Sequence, residues 1–195
     1  MRPLVVQEFV TLDGVVQAPG DASEYSHGGW QLPFIGDEQL DIITQQIMDA
    51  DALVLGRRTY EMFAAAWPSR TGLRGLAERM NSIPKFVASG SLTHVSWNAT
   101  LLSGDVATAL RQLTDQAGNG LLILGSTTLV RYLEALQLID EYRLWIHPVV
   151  VGDGERLFDA SGAPSHWQLS DYTVLPTGVI VTTCQRANTN EVQVS

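Results

Sequence analysis

Residues 53–61, Leu53-Val54-Leu55-Gly56-Arg57-Arg58-Thr59-Tyr60-Glu61, constrain the fold more than any other stretch of the chain. A short apolar run of this kind reads as a strand buried on both faces of a parallel sheet. It gives way, through one glycine, to two arginines and a helix-like segment for which Thr59 is the expected N-cap. A strand end, a glycine and a helix start together make an anion site. The first helical N–H groups lack intrahelical partners, and the macrodipole favours negative charge there. Two guanidinium groups beside such a site can fork onto phosphate oxygens, at roughly 1.5–3 kcal/mol per charge-assisted bond. They stand out in a chain of formal net charge -9, whose field otherwise repels a phosphorylated ligand. A plain strand-to-helix turn carrying two solvated arginines satisfies the same residues.

Two further apolar runs end in small residues. Residues 85–88 lead into Ser89-Gly90-Ser91, and residues 121–124 lead into Gly125-Ser126-Thr127-Thr128 and a helix carrying Leu129, Val130, Leu133 and Leu136. Helices are also expected over 37–50, from 57 to about 67, over 73–81 and over 105–117. In the first of these, Leu40, Ile43, Ile47 and Ala50 share one face, and Asp37 and Glu38 sit in the first turn. Residues 4–10 read as the first strand and 99–102 as a short one. After Leu138 the pattern changes. Residues 141–151 read as a long strand in which Pro148 implies an edge or a bulge, and 167–175 and 179–186 flank Pro176-Thr177-Gly178 as a hairpin. Strand–helix units followed by antiparallel strands give an α/β fold: one mixed, mostly parallel sheet, flanked by helices on both faces, with antiparallel C-terminal strands. The 195 residues fit a single domain, with a core over about 4–186 and a frayed polar tail over 187–195. Ligands of such sheets bind beyond the carboxyl ends of the strands, where Gly56, Ser89 and Gly125 all lie.

Several function classes are excluded. The acidic balance argues against nucleic acid, and no apolar run is long enough to cross a bilayer. The N-terminus reads as a strand rather than a signal peptide, so a cytoplasmic location is expected. The single cysteine, Cys184, excludes an internal disulfide and reads as a small core residue. The four histidines have no metal-ligand spacing, so no metal site is expected. There is no G-x-G-x-x-G fingerprint at a strand–helix junction, no P-loop and no G-x-S-x-G elbow. The polar stretch 17–29 is long for a compact domain and reads as a functional loop, often a lid, or else as a simply mobile one. Trp30 and Phe34 close it; they line a pocket or, the favoured reading, anchor the loop on the core.

Six segments in order then point to a family. They are Thr11-Leu12-Asp13-Gly14, residues 56–61, Ser89-Gly90-Ser91-Leu92, Gly125-Ser126-Thr127-Thr128-Leu129, residues 139–144 and residues 147–154. Together they resemble the dihydrofolate reductase superfamily. The branch they are most similar to is the reductase domain of the bifunctional riboflavin-biosynthesis deaminase-reductase, in a stand-alone bacterial form. The resemblance runs from residue 4 to about 186. It implies an NADPH site on the carboxyl edge of the sheet: Gly56, Arg57, Arg58 and Thr59 at the 2′-phosphate, Ser89, Gly90, Ser91 and Leu92 by the adenine ribose, and Gly125, Ser126, Thr127, Thr128 and Leu129 at the pyrophosphate. It also implies a mobile loop beginning at residues 13–17, with Val16 against the nicotinamide and the backbone of Phe9 beside the carboxamide.

Two positions depart from the family pattern. Its glycine pair is Gly125-Ser126 here, and its acidic residue on the first helix aligns with Leu40, leaving Asp37, Glu38 and Asp41 nearby. Asp37 and Glu38 are the candidate catalytic carboxyls, although both are also ordinary partners of a helix dipole. The resemblance implies an NADPH-dependent reductase of a small pterin-, pyrimidine- or flavin-precursor-like substrate, of the dihydrofolate reductase or 5-amino-6-(5-phosphoribosylamino)uracil reductase type. It leans toward a homodimer. A flavin-pathway substrate needs a phosphate partner, for which Arg143 and Arg156 are candidates. A nucleotide-binding protein of this fold without turnover is the alternative.

Overall fold

Strands β1 (Leu4–Thr11), β2 (Ala52–Gly56), β3 (Lys85–Ala88), β4 (Ala99–Leu101), β5 (Leu121–Leu124), β6 (Glu141–His147), β7 (Trp167–Val174) and β8 (Ile180–Arg186) form one sheet. Helices α1 (Asp37–Met48), α2 (Arg57–Ala66), α3 (Leu76–Ser82), α4 (Val106–Thr114) and α5 (Thr127–Ala135) pack against it. The computed structural model describes residues 1–23, 25–158 and 162–187. The expected frayed tail falls, apart from Ala187, outside them.

The sheet runs β4-β3-β2-β5-β1-β6-β8-β7. All pairs from β4 to β6 are parallel, and β8 adds antiparallel to β6 and β7 to β8. The central strands are apolar on both faces because both are covered. On one face Leu53, Leu55, Leu122, Leu124 and Trp145 meet Ile43 and Ile47 of α1, Tyr60 of α2 and Met80 of α3. On the other, Leu4, Val6, Val54, Leu121 and Ile123 meet Leu110 of α4 and Val130 and Leu133 of α5. The hairpin forms as expected, with Gly178 N–H donating to Leu175 O (2.8 Å).

Three local expectations are corrected. Thr59 is not an N-cap: α2 begins at Arg57 with Gly56 as its cap, and the Thr59 side chain is buried and bonded elsewhere. Strand β6 stops at His147, and Pro148, which has no N–H to give, ends it rather than marking an edge or bulge; β6 lies inside the sheet, between β1 and β8. Helix α4 ends at Thr114, three residues short of expectation, although Asp105 caps its start by accepting from Thr108 N–H (2.8 Å). Cys184 is half-buried against the second cluster. Lys85, the chain's one lysine, is buried: its Nζ donates to Ile83 O (2.7 Å) and lies 4.0 Å from the centre of the Trp97 ring.

Candidate active site

Four neighbouring parallel strands, β3, β2, β5 and β1, release their carboxyl ends along one edge of the sheet. That edge carries, in order, the Ser89 turn, the Gly56-Arg57-Arg58 turn, the Gly125-Ser126 turn and the Thr11–Gly14 turn. The fold therefore brings the separate sequence motifs into a line. At a strand spacing of ~4.8 Å, the four ends span about 14 Å.

The second and third turns are knitted together. Ser126 Oγ accepts from Gly56 N–H (2.9 Å) and donates to Leu124 O (3.1 Å), while Ser126 N–H donates to Thr59 Oγ1 (3.1 Å). This is where the Thr59 hydroxyl goes instead of capping α2. Gly125 and Ser126 are both left-handed, at φ 56 and φ 67. The serine thus holds a backbone geometry that glycine adopts freely, and its hydroxyl offsets the cost with two bonds. Thr127, Thr128 and Leu129 open α5 ahead of its bond from Val130 N–H to Ser126 O (3.0 Å), so their N–H groups face the edge. The Leu129 side chain is buried in the core and leaves only its backbone to a ligand. Arg57 and Arg58 are exposed, and Arg57 reaches Glu61 at 3.4 Å. Ser89 Oγ accepts from Ser91 N–H (3.2 Å) and Leu92 N–H (3.0 Å), fixing its turn; Gly90 is exposed there.

Beyond β1, Asp13 organises the loop. Its carboxylate accepts from the Thr11 hydroxyl (2.6 Å), Val151 N–H (3.3 Å) and Gly152 N–H (2.9 Å), and Arg156 lies 3.9 Å away. These bonds, led by the Thr11 hydroxyl, hold the Asp13 carboxyl below the usual carboxylate range. Val16 N–H donates to Glu155 O (2.8 Å) and Leu157 N–H to Gly14 O (3.0 Å), so residues 13–17 and 151–157 form a clasp. Arg156 belongs to it, donating to Gly152 O (3.1 Å), whereas Arg143 pairs with Glu141 (2.6 Å) on β6. The Val16 side chain is buried. Tyr25, from the polar stretch, donates to Asp153 Oδ1 (2.6 Å). A Cβ on Gly154 would sit 2.8 Å from that hydroxyl, which explains the glycine.

Behind the clasp stands His147, fully buried, with Nδ1 2.8 Å from Trp145 O. Phe9, Trp30 and Phe34 stand edge-on around it, with centroids 5.7, 5.1 and 5.5 Å away. Trp30 also donates to Gln17 O (2.9 Å) and anchors the stretch on the core, as favoured above, whereas Phe34 both packs on the core and lines a cleft. Burial pushes the His147 imidazole below its usual value, which leaves it neutral near pH 7. Glu8 is buried one face away. Burial, with the Glu155 charge adding to it, raises its carboxyl to about 8.

Asp37 and Glu38 are exposed and line a cleft between the start of α1 and the β7–β8 turn. Asp41, also exposed, forms a two-point pair with Arg74. The buried polar residues of α1 are Gln39 and Thr44, and the more deeply buried, Gln39, is one that the helical pattern read through Leu40 does not single out. The spacing 39, 43, 47 is the signal that could have found it. Asp13 as a hub and His147 as an aromatic centre also escape sequence reasoning, because their partners lie far away in the chain. Among the described residues no group can hold a metal ion, and no helix is long and apolar enough to cross a membrane.

Comparison with known proteins extends this picture. The model of the RibD C-terminal domain family matches residues 2–181. The uncharacterized protein YyaP of Bacillus subtilis is 24% identical over 160 residues, covering 80% of each chain. The crystal structure of a putative riboflavin biosynthesis protein from Shewanella sp. PV-4 superposes with a TM-score of 0.74 at 21% identity, over 95% of this chain and 99% of that one. A dihydrofolate reductase from Enterococcus faecalis, solved in complex with NADP(H), gives a TM-score of 0.65 at 14% identity, over 95% and 97%.

Proposed function

The chain belongs to the RibD C-terminal domain family, and from that premise we propose that it is an NADPH-dependent oxidoreductase acting on a small heterocycle. One observation carries the reading: the order of the turns along the sheet edge matches the order of parts along the cofactor. Ser89 to Leu92 lie where the adenine ribose would go, Arg57, Arg58 and Thr59 beside the 2′-phosphate, and Gly125 to Leu129 at the pyrophosphate. Phe9, the 13–17 loop and Val16 follow at the nicotinamide.

The residues fit that group. The leading N–H groups of α5 and its dipole suit a pyrophosphate, and two exposed guanidiniums suit a further phosphate. When bound, NADPH would supply the hydride, a chemistry the side chains lack. The chain's own contribution is to bind, orient and exclude water. The clasp organised by Asp13 holds the loop over the reacting end, and the aromatic box around His147 keeps the sheet behind it dry. Asp37 and Glu38, at the rim of the adjoining cleft, are the carboxyls placed to pass a proton to the reduced product. Their exposure also favours the second reading, a nucleotide-binding protein of this fold without turnover. NADPH consumption with candidate pterin and pyrimidine substrates separates the two.

Titration with NADPH and with NADH, followed by nicotinamide fluorescence, tests the assignment. NADPH should bind more tightly, and Arg57→Ala should weaken it about tenfold for each ~1.4 kcal/mol of binding free energy that the guanidinium supplies, while leaving NADH unchanged. Failure to bind either nucleotide would refute the reading.

A further inference from the structure

A depression of about 280 Å³ lies at the amino edge of the sheet, at the opposite end of the strands from the cofactor turns. The starts of β1 and β5, at Val5 and Leu122, form its floor. The end of α1, the turn at Asn119 and Gly120, and Arg143 of β6 form its walls. The turn is pinned by Asp51, whose carboxylate accepts from Asn119 N–H (2.8 Å) and Gly120 N–H (3.3 Å) and meets Arg2 at 3.3 Å. A Cβ on Gly118 would fall 2.1 Å from that carboxylate, which explains the glycine there.

Two charges of opposite sign line this depression. Arg143 Nε donates to Glu141 (2.6 Å), but its two Nη groups have no partner among the described residues, and its side chain is 24% exposed. A guanidinium fork left open in this way takes a carboxylate through two parallel bonds. Asp49 is exposed. One of its carboxylate oxygens accepts from Gln45 Nε2 (2.7 Å), and the other has no partner among the described residues. Arg79 does not answer it, being committed to the carbonyls of Ile47 (3.3 Å) and Ala50 (2.6 Å). The sheet order sets the two charges apart. Asp49 directly precedes the lead into β2 and Arg143 is on β6, with β5 and β1 between them. Three strand spacings of ~4.8 Å place their backbones about 14 Å apart. The reach of both side chains shortens that gap, and the side chains beneath it, Val5 and Leu122, are apolar.

We propose that this depression is a second ligand site, and that it takes a short linear zwitterion, an ω-amino carboxylate. The carboxylate docks on the Arg143 fork, the ammonium on Asp49, and the methylene chain lies over the floor between them. The site stands apart from the reductase reading. A phosphate dianion suits it less well, because Arg143 already shares its charge with Glu141 and Asp49 would repel the ligand. An α-amino acid carries both charges on one carbon and does not span the floor. The volume is below the ~300–1,000 Å³ of pockets for drug-sized ligands, which suits a chain of a few carbons.

Calorimetric titration of the whole protein with 6-aminohexanoate tests this. Hexanoate and hexylamine each keep one charged end, glycine keeps both on one carbon, and inorganic phosphate supplies the dianion. At neutral pH, 6-aminohexanoate should bind at least about tenfold more tightly than any of the four. Asp49→Asn should weaken 6-aminohexanoate and hexylamine about tenfold and leave hexanoate unchanged. Arg143→Gln should weaken 6-aminohexanoate and hexanoate and leave hexylamine unchanged. Thermal melting is the folding control. Asp49 is exposed, so its variant should melt with the wild type, and it decides the question even where Arg143→Gln, which strands Glu141, fails to fold. No binding of 6-aminohexanoate overturns the proposal. So does equal affinity for hexanoate, hexylamine, glycine or phosphate, or a folded Asp49→Asn that binds 6-aminohexanoate as the wild type does.

Discussion

Glu8 offers the sharpest quantitative test of the structure. Its side chain is buried on β1, its Oε1 has no partner among the described residues, and its carboxyl ionises near 8 rather than the ordinary 4.5. The folded protein therefore keeps a proton that the unfolded chain loses between those two values. Stability falls as pH rises through that window, and the loss is complete above it. At 1.36 kcal/mol per pH unit, a span from 4.5 to about 8 amounts to ~5 kcal/mol. Glu8→Gln keeps the shape, cannot ionise and removes the dependence. Urea unfolding of both proteins from about pH 5 to 9 should show the variant gaining on the wild type by roughly 1.4 kcal/mol per pH unit, then a constant gap above about pH 8. Parallel stability curves for the two proteins would refute the reasoning, because they would mean that Glu8 meets water or a cation in the folded state.

Asp13→Ala removes the acceptor shared by Thr11, Val151 and Gly152. It should cost about 2–3 kcal/mol in urea unfolding at neutral pH and weaken NADPH binding through the loosened loop. Because the Asp13 carboxyl is held below the usual 3.8, its contribution is present above that value and should disappear as pH falls through the depressed one, so the two proteins converge in acid. Ser126→Ala loses both hydroxyl bonds and keeps the left-handed strain, whereas Ser126→Gly loses the bonds and relieves the strain. Thermal melting should place alanine below glycine by roughly 1 kcal/mol, and both below the wild type.

The sheet was legible because a strand covered on both faces must be apolar throughout. Leu53, Val54 and Leu55, and again residues 121–124, leave no other reading once glycine follows them. The hairpin at Pro176-Thr177-Gly178 was legible because its turn chemistry is local. What escaped was chemistry between distant residues. Thr59 has the composition of a cap, but its partner is Ser126, which only the pairing of β2 with β5 brings near. Pro148 could end a strand or mark its edge, and the choice was made by β8 joining the far side of β6. On α1, Leu40 and Gln39 offer nearly equal helical phases, and the more buried of the two is the polar one. The cofactor turns could be proposed from local composition, whereas the clasp, the aromatic box and the polar wall of the cleft depend on tertiary packing.

The bonds among Gly56, Thr59 and Ser126 also bear on how this chain can change over generations. A serine in a left-handed turn is held there by the bonds its hydroxyl and amide make, and the threonine hydroxyl that takes the amide is buried. Substitutions at 59 and 126 should therefore depart from additivity. The threonine accepts from the backbone N–H of residue 126, a donor that serine and glycine share, so it stays hard to lose whichever of the two stands there, whereas the serine hydroxyl depends on Gly56 and Leu124 alone.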